Sequence, residues 1–571
     1  MSDRVSRTIR RRFLGLTVLS LASTVPLGCK GPLDNGPIRI DPERLRRAEE
    51  MSLEGLSRRP PEPLAEAAQR VLREVVKPAA PSSQVEIELA EVRAAALRGN
   101  LELRVELFNP SLAQTTVDQE EAKFEWTFFA NAARTRSDAP TPTATQPSQA
   151  DFTNYDLGLR IPTRAGGEIV FDVPFSDLDN NDPFSLLNPS YNAAARFSIS
   201  QPLLRNGGFR ANTNSIRVAH YQSQIVDAQT KLSAIRILAA ADKAYWSLFA
   251  ARRELEVRQQ RYELTVEQLE RARRQVNAGV AAEVEVIRAE AGVADSLNGI
   301  IVAETNLKIR TRDLKRIMNR EDLPINGSSA ILTSTAPNPV GLDLDADLLA
   351  EQAIANRMEM LELELQLAID AGNLDFERNQ ALPIFAVEYS YDRSGLGDGY
   401  SKAFSQVSDQ TFEGWRLGLN AEIPLGNEAA KARVSRAILT RVQRLATRDL
   451  RREAIRQEVY DTLDRLQQDW QRILAARAQT ILAGRTYDAE KRQFDLGLRT
   501  STDVLDAAAR LADAQSLEVA ALADYQITQV DIAFATGTLL GNGRVQWDPQ
   551  TATSAAPTIT EIAEPVAGSA E

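Results

Sequence analysis

The chain has 571 residues, 43% hydrophobic and 25% charged, which is typical of a folded protein and not of a disordered one. One cysteine and one histidine exclude a disulfide scaffold and a Cys/His zinc site, and they argue against catalysis by a Ser-His or Cys-His pair. We therefore expect a protein that is not an enzyme, with no catalytic residue, metal or cofactor. The formal net charge of −11 argues against a nucleic-acid binder.

The N-terminus predicts an export signal over residues 1–28. Arginines at the start are followed by the apolar stretch Phe13 to Leu27, which is shorter than the ~20 residues of a membrane-spanning helix. The pair Arg11 and Arg12 leaves twin-arginine export open beside the general route. Residues 29–84 would then form an N-terminal periplasmic extension.

The only cysteine, Cys29, directly follows Gly28 at the predicted end of this signal. The segment resembles a bacterial lipobox, although Pro26 and Leu27 depart from its usual order. A lone thiol has no disulfide partner in an oxidising compartment, which favours lipidation at Cys29. An incidental cysteine in the signal is the alternative.

An internal repeat divides the remaining chain. The segment from Arg274 to Val280 matches the segment from Arg492 to Leu498 in sequence. Upstream of these segments, Pro202 corresponds to Pro424 at nearly the same offset. We therefore predict two copies of one unit, with a linker between them and a disordered C-terminal tail. Repeat 1 covers residues 85–321, the linker 322–345, repeat 2 residues 346–541 and the tail 542–571.

Each repeat contains two long segments with helical periodicity, predicted as helices over 211–278 and 280–319 in repeat 1 and over 428–496 and 498–536 in repeat 2. A helix of about 66 residues spans on the order of 100 Å, longer than a compact globular domain needs. Gly279 and Gly497 mark the turns that join each pair into a hairpin. Periodicity alone leaves a generic periplasmic coiled coil open.

Four short segments alternate apolar residues with small or polar ones, and they predict strands near 124–136, 195–203, 384–392 and 415–424. This pattern is typical of outer-membrane barrel strands, with one face toward lipid and the other toward the lumen. Four strands cannot close a barrel, so the chain must oligomerise, and three copies would supply twelve strands. Residues 137–192 and 393–414 would be extracellular loops, the first with a small hairpin (157–161 with 168–173) outside the membrane.

Residues from about 85 to 541, some 80% of the chain, resemble the TolC-like family of outer-membrane efflux proteins. The resemblance is carried by Gln201-Pro202-Leu203-Leu204, Ala244-Tyr245-Trp246, Gly279-Val280 with Val286 and Ala289, the run from Gly497 to Ala507, and Ala535 to Leu540. It implies a mixed fold class: two tandem repeats, each with two transmembrane strands and long helical hairpins. It also implies a homotrimer with a 12-stranded β-barrel on a periplasmic α-helical barrel.

The same resemblance implies a function and partners. The trimer would sit in the outer membrane as a passive exit duct that docks to a periplasmic adaptor protein and an inner-membrane efflux pump or ABC exporter. The alternative is a lipid-anchored structural or adhesive coiled-coil protein without a pore. The alternating strands favour the duct, because a tether needs no lipid-facing strands.

The resemblance also implies site residues, all near the two turns. Gly279, Val280, Gly497 and Leu498 would form the tips that contact the adaptor, and Arg499 with Glu285 would form a pair that holds the channel closed. Asp503 and Asp506 lie one helical turn apart, and in a trimer they would form an acidic ring at the pore entrance. For these two aspartates, a solvated helix N-terminus is the alternative.

Overall fold

The computed structural model describes residues 84–143, 146–182 and 184–543. The predicted export signal, Cys29, nearly all of the N-terminal extension and the tail from residue 544 lie outside these described residues.

Repeat 1 begins with short elements and ends with two long helices. It contains β1 (Gln84–Ile87), α1 (Leu89–Gly99), α2 (Leu101–Glu106), α3 (Asn109–Glu121), β2 (Thr127–Asp138), β3 (Gln149–Pro162), β4 (Glu168–Asn180), β5 (Ser190–Pro202), α4 (Phe209–Asn212), α5 (Asn214–Asn277) and α6 (Val284–Met318). The helix α5 contains no glycine or proline, which explains how it runs unbroken for 64 residues.

Repeat 2 follows a linker that contains β6 (Ala330–Thr333). It contains α7 (Ala346–Asn356), α8 (Met358–Gln380), β7 (Ile384–Gly397), α9 (Tyr400–Ser408), β8 (Phe412–Glu422), α10 (Glu428–Asp495), α11 (Ser501–Ala535) and α12 (Leu539–Asn542). The long helices α5, α6, α10 and α11 begin and end within four residues of the predicted bounds. The predicted fold class, long helical hairpins combined with β-strands in tandem repeats, is confirmed.

The strand count of repeat 1 differs from the expectation. One antiparallel sheet of six strands has the order β2-β3-β4-β5-β7-β8, so repeat 1 contributes four strands and repeat 2 contributes two. The prediction of two strands in repeat 1 is therefore wrong. Pro174 explains part of the error, because a proline within an alternating run argues against a strand. In the structure Pro174 pairs with Asp156 of β3, and the pairing of β4 with β5 is interrupted beside it.

The predicted extracellular loop 137–192 needs a second correction. Its middle part is the β3–β4 hairpin, which belongs to the sheet and does not lie outside it. The turn of that hairpin is at the helix end of the sheet, since the N–H of Gly208, just before α4, donates to the carbonyl of Ala165 at 3.0 Å. The connections that follow Asp138 of β2 and Asn180 of β4 lie at the far end with α9.

The two faces of the sheet differ in polarity. Strand alternation places mainly aromatic and aliphatic side chains on one face, which we call the apolar face. The opposite, polar face carries Asn, Ser, Asp and Arg side chains, among them Asp172 and Arg196, whose charged atoms are 3.9 Å apart. At the far end α9 packs on the apolar face, where Tyr400 contacts Phe175 and donates a 2.7 Å hydrogen bond to Asp177.

The core lies along the middle of the long helices, where the linker is fastened by two fully buried tyrosines. The Tyr245 hydroxyl donates to the carbonyl of Ile87 at 3.3 Å and accepts from the N–H of Thr335 at 2.9 Å. The Tyr525 hydroxyl donates to the carbonyl of Val340. Beside Tyr245, β1 and β6 pair as a two-stranded parallel sheet, so the linker is an ordered part of this core.

Among the described residues, no helix is both long and apolar enough to cross a membrane. The same residues contain no group of three or more His, Cys, Asp or Glu side chains arranged to hold a metal ion.

Candidate functional site

The two helical hairpins end in turns of the same geometry. Gly279 and Gly497 both have φ of +74°, in the left-handed region that glycine adopts without a steric cost. The N–H of the following residue reaches back five positions, from Val280 to Gln275 at 2.9 Å and from Leu498 to Gln493 at 3.0 Å. This is the Schellman arrangement, and it satisfies the carbonyls at the ends of α5 and α10.

Both turns expose apolar side chains to solvent. Val280 is 78% exposed and Leu498 is 72% exposed, and Leu496, which precedes the second turn glycine, is 74% exposed. A Cβ built on Gly279 or Gly497 would meet no atom within 4 Å, so the space around both turns is open. The chain therefore offers two similar apolar tips that nothing in the described part of the molecule covers.

The two hairpins are fastened to each other next to these tips. Glu285, in the first turn of α6, accepts a 2.9 Å hydrogen bond from the backbone N–H of Ser501, the first residue of α11. The hydroxyl of the same serine accepts a 3.2 Å hydrogen bond from Gln268 of α5. Ser501 is completely buried, so the serine side of both contacts is shielded from water. Arg288 holds the other oxygen of Glu285 at 2.8 Å.

The predicted pair of Arg499 and Glu285 is not formed within the chain. The guanidinium of Arg499 lies 3.1 Å from a carboxylate oxygen of Glu490 and donates to Gln493 at 3.0 Å. Both partners belong to α10, so Arg499 makes these contacts within its own hairpin and does not join the two hairpins. Glu285 is engaged with Ser501 instead, because the N–H groups at the start of α11 have no acceptor within their own helix and attract a carboxylate.

Asp503 and Asp506 have different surroundings. Asp503 forms a capping box with Thr500: its carboxylate accepts from the Thr500 N–H at 2.9 Å and from the Thr500 hydroxyl at 2.8 Å. The hydrogen bond from that backbone N–H and the one from the hydroxyl hold the pKa of Asp503 below its ordinary value. Asp506 is exposed, and no hydrogen bond or ion pair to its carboxylate is found among the described residues.

Other contacts between the hairpins were not predicted. Arg271 of α5 lies 3.3 Å from Asp495 at the end of α10, and Lys491 lies 3.4 Å from Glu267. A small apolar cluster between α10 and α11, which includes Phe494, packs beside them. The sequence contains no signal for these ion pairs, because charged residues are frequent along both helices and only the packing selects the partners.

Comparison with known proteins gives a family match. Residues 175–320 and 349–538, more than half of the chain, match the sequence profile described as OEP, outer membrane efflux protein. The first matched segment begins within β4, so β2 and β3 lie before it. Each matched segment contains at least one strand of the six-stranded sheet and one long helical hairpin.

Curated relatives and solved structures agree with that match. The chain is 22% identical over 356 residues to the outer membrane protein TolC of Vibrio cholerae, covering 61% of this chain and 77% of that protein. It is 23% identical to TolC of Escherichia coli over 354 residues, with 61% and 69% covered. The crystal structure of the Campylobacter jejuni CmeC outer membrane channel superimposes with a TM-score of 0.61 at 14% identity, over 82% of this chain and 90% of that one.

Proposed function

The chain belongs to the outer membrane efflux protein family, and on that premise we propose that three copies form a passive exit duct of a tripartite efflux or type I secretion system. As a member of this family it is an outer-membrane protein with a large periplasmic part. The proposed duct docks to a periplasmic adaptor protein and receives its cargo from an inner-membrane pump or exporter.

The observation that carries the proposal is the position of the sheet relative to the hairpins. The sheet has one apolar and one polar face, which suits a wall between lipid and a water-filled lumen. The helices α5 and α10, of 64 and 68 residues, begin next to the helix end of the sheet and are each about 100 Å long. Hairpins of that length supply the periplasmic section of a duct.

The tips are the proposed adaptor contact. Val280 and Leu498 are apolar, exposed and presented by turns of the same geometry, so three chains offer six similar tips. Burial of apolar surface is the main favourable contribution in most protein associations. An adaptor that packs on these tips would bury side chains for which the described part of the chain provides no cover.

The entrance of the duct is proposed to lie at the same level. Asp506 is exposed there, and Asp503 lies one helical turn before it on α11. In a trimer these residues would place acidic groups around a narrow opening, which favours cations over anions. The bond between Glu285 and Ser501 would hold neighbouring hairpins together and bias the entrance toward its closed state.

Purification and bilayer recording test this function. A detergent-purified trimer that migrates faster on a gel before heating than after, and that gives discrete conductance steps in a planar bilayer, is the expected result. A protein that is held in the membrane only through lipid at Cys29 and gives no conductance would instead be the pore-free tether. Crosslinking in cells would then identify the adaptor and the inner-membrane partner by mass spectrometry.

A further inference from the structure

The apolar face runs across all six strands without a gap. One row of directly paired residues crosses the whole sheet, and each member is apolar or aromatic. The row consists of Phe128, Leu159, Phe171, Phe197, Tyr391 and Trp415. The β3–β4 hairpin therefore has the same lipid-facing pattern as the four strands that the sequence predicts.

The same row shows that the strands are staggered as in a barrel. Phe128 is the second residue of β2, counted from the helix end, whereas Trp415 is the fourth residue of β8, counted from the far end. The row thus passes from one end of the sheet toward the other as it crosses six strands. Such a stagger accompanies the strand tilt that barrel closure requires.

Both outer strands are open in the single chain. All residues of β8 except Gly414 and Gly418, and all of β2 except Phe129, are exposed. In lipid, an open sheet edge leaves backbone groups without hydrogen bonds, so these edges must be covered. With six strands, β2 and β8 run in opposite directions, and β8 of one copy can therefore continue the antiparallel order into β2 of the next.

We propose that this protein forms an eighteen-stranded barrel, in which each of three copies supplies six strands and β8 pairs with β2 of the neighbouring copy. This rests on the trimer of the proposed function and replaces the twelve strands expected from four per chain. The added hairpin widens the outer-membrane section by a factor of roughly 1.5, because barrel diameter grows about linearly with strand number.

Thiol labelling tests where the added hairpin lies. Leu157 and Asn154 of β3 point to opposite faces of the sheet, toward lipid and toward the lumen. In intact proteoliposomes, a charged maleimide should modify the cysteine of Asn154→Cys at least about tenfold faster than the cysteine of Leu157→Cys. The two labelling rates should become similar once detergent and heat unfold the chain. Leu417→Cys of β8 is the matched lipid-facing control, and the unsubstituted protein gives the background from Cys29. Equal labelling at both β3 positions would place the hairpin in water and overturn the proposal.

Counting the strands separates this inference from the proposed function. Native mass spectrometry of the detergent-extracted assembly gives the number of copies, and an electron cryomicroscopy map in lipid nanodiscs gives the number of strands. Three copies with eighteen strands are expected. Three copies with twelve strands would overturn the wider barrel and leave the exit duct intact, whereas a single copy would overturn the trimer itself.

Discussion

The carboxylate of Glu285 accepts a 2.9 Å hydrogen bond from the backbone N–H of Ser501, and this bond joins the start of α6 to the start of α11. The first N–H groups of a helix have no partner within the helix, and they carry a partial positive charge. Glu285 supplies the missing acceptor from the other hairpin. One residue therefore caps one helix and fastens two hairpins at the level of the proposed entrance.

Removing this carboxylate should loosen the entrance. Glu285→Ala breaks a hydrogen bond to a charged group, on the order of 1.5 kcal/mol in each chain, and leaves the N–H of the buried Ser501 without its acceptor. We expect a higher single-channel conductance in planar bilayers. Glu283→Ala, an exposed carboxylate two positions earlier, is the matched control and should leave the conductance unchanged. Equal conductance in both variants would contradict the fastening role.

Arg499→Ser should have a smaller effect than Glu285→Ala. Arg499 contacts Glu490 and Gln493, both on the helix that precedes its own turn, so its loss does not separate the two hairpins of a chain. An exposed ion pair contributes only about 0–1 kcal/mol. The two variants are compared by conductance under the same salt. A larger increase for Arg499→Ser would show that it contacts a neighbouring chain in the trimer.

The acidic residues of α11 should bind multivalent cations at the entrance. Asp506 is exposed and has no partner in the described part of the chain, so three copies would place three free carboxylates near the axis. Asp506→Ala should weaken block by hexammine cobalt added on the periplasmic side and reduce cation preference. The double variant with Asp503→Ala should abolish the block. Undiminished block in the double variant would mean that both carboxylates face away from the lumen.

The start of α11 should fray in acid. The capping hydrogen bonds lower the pKa of Asp503 in the folded state, so they stabilise the fold above its ordinary value of 3.8 and are lost as pH falls through the lower, folded value. The protection factors of residues 500–504, which correct for the intrinsic pH dependence of exchange, should therefore fall as the pH is lowered from 7 to below 3.8. Asp503→Asn should show lower protection factors already at pH 7 and little further change as the pH falls. If the protection factors of Asp503→Asn equalled those of the parent protein at every pH, the cap would not be the cause.

Charge at the tips should prevent docking. Val280→Asp combined with Leu498→Asp replaces two exposed apolar side chains by carboxylates that an apolar contact cannot bury without a large cost. We expect loss of adaptor capture in pull-downs from cells, with the trimer still assembled. Asn277→Asp adds charge next to the first turn without removing an apolar group, and it should retain capture. If the double variant still captured the adaptor, docking would have to use another surface.

Much of the helical part can be predicted from the sequence, because its determinants are local. The absence of glycine and proline in α5, together with the helical spacing of apolar residues, determines that helix, and Gly279 and Gly497 determine where the hairpins turn. The match between the two turn segments also reveals the tandem repeat. These features depend on neighbours a few positions away in the chain, so they are visible before any tertiary contact is known.

Only the tertiary structure decided the strand count and the partners of the charged residues. The β3–β4 hairpin is a strand pair because β2 and β5 lie on either side of it, and this pairing overrides the local preference of Pro174 against a strand. Glu285 binds Ser501 and Arg499 binds Glu490 because helix packing places those groups within reach across the turns. Side chains of one charge are interchangeable in a sequence, whereas distance and direction in the folded chain select one partner for each.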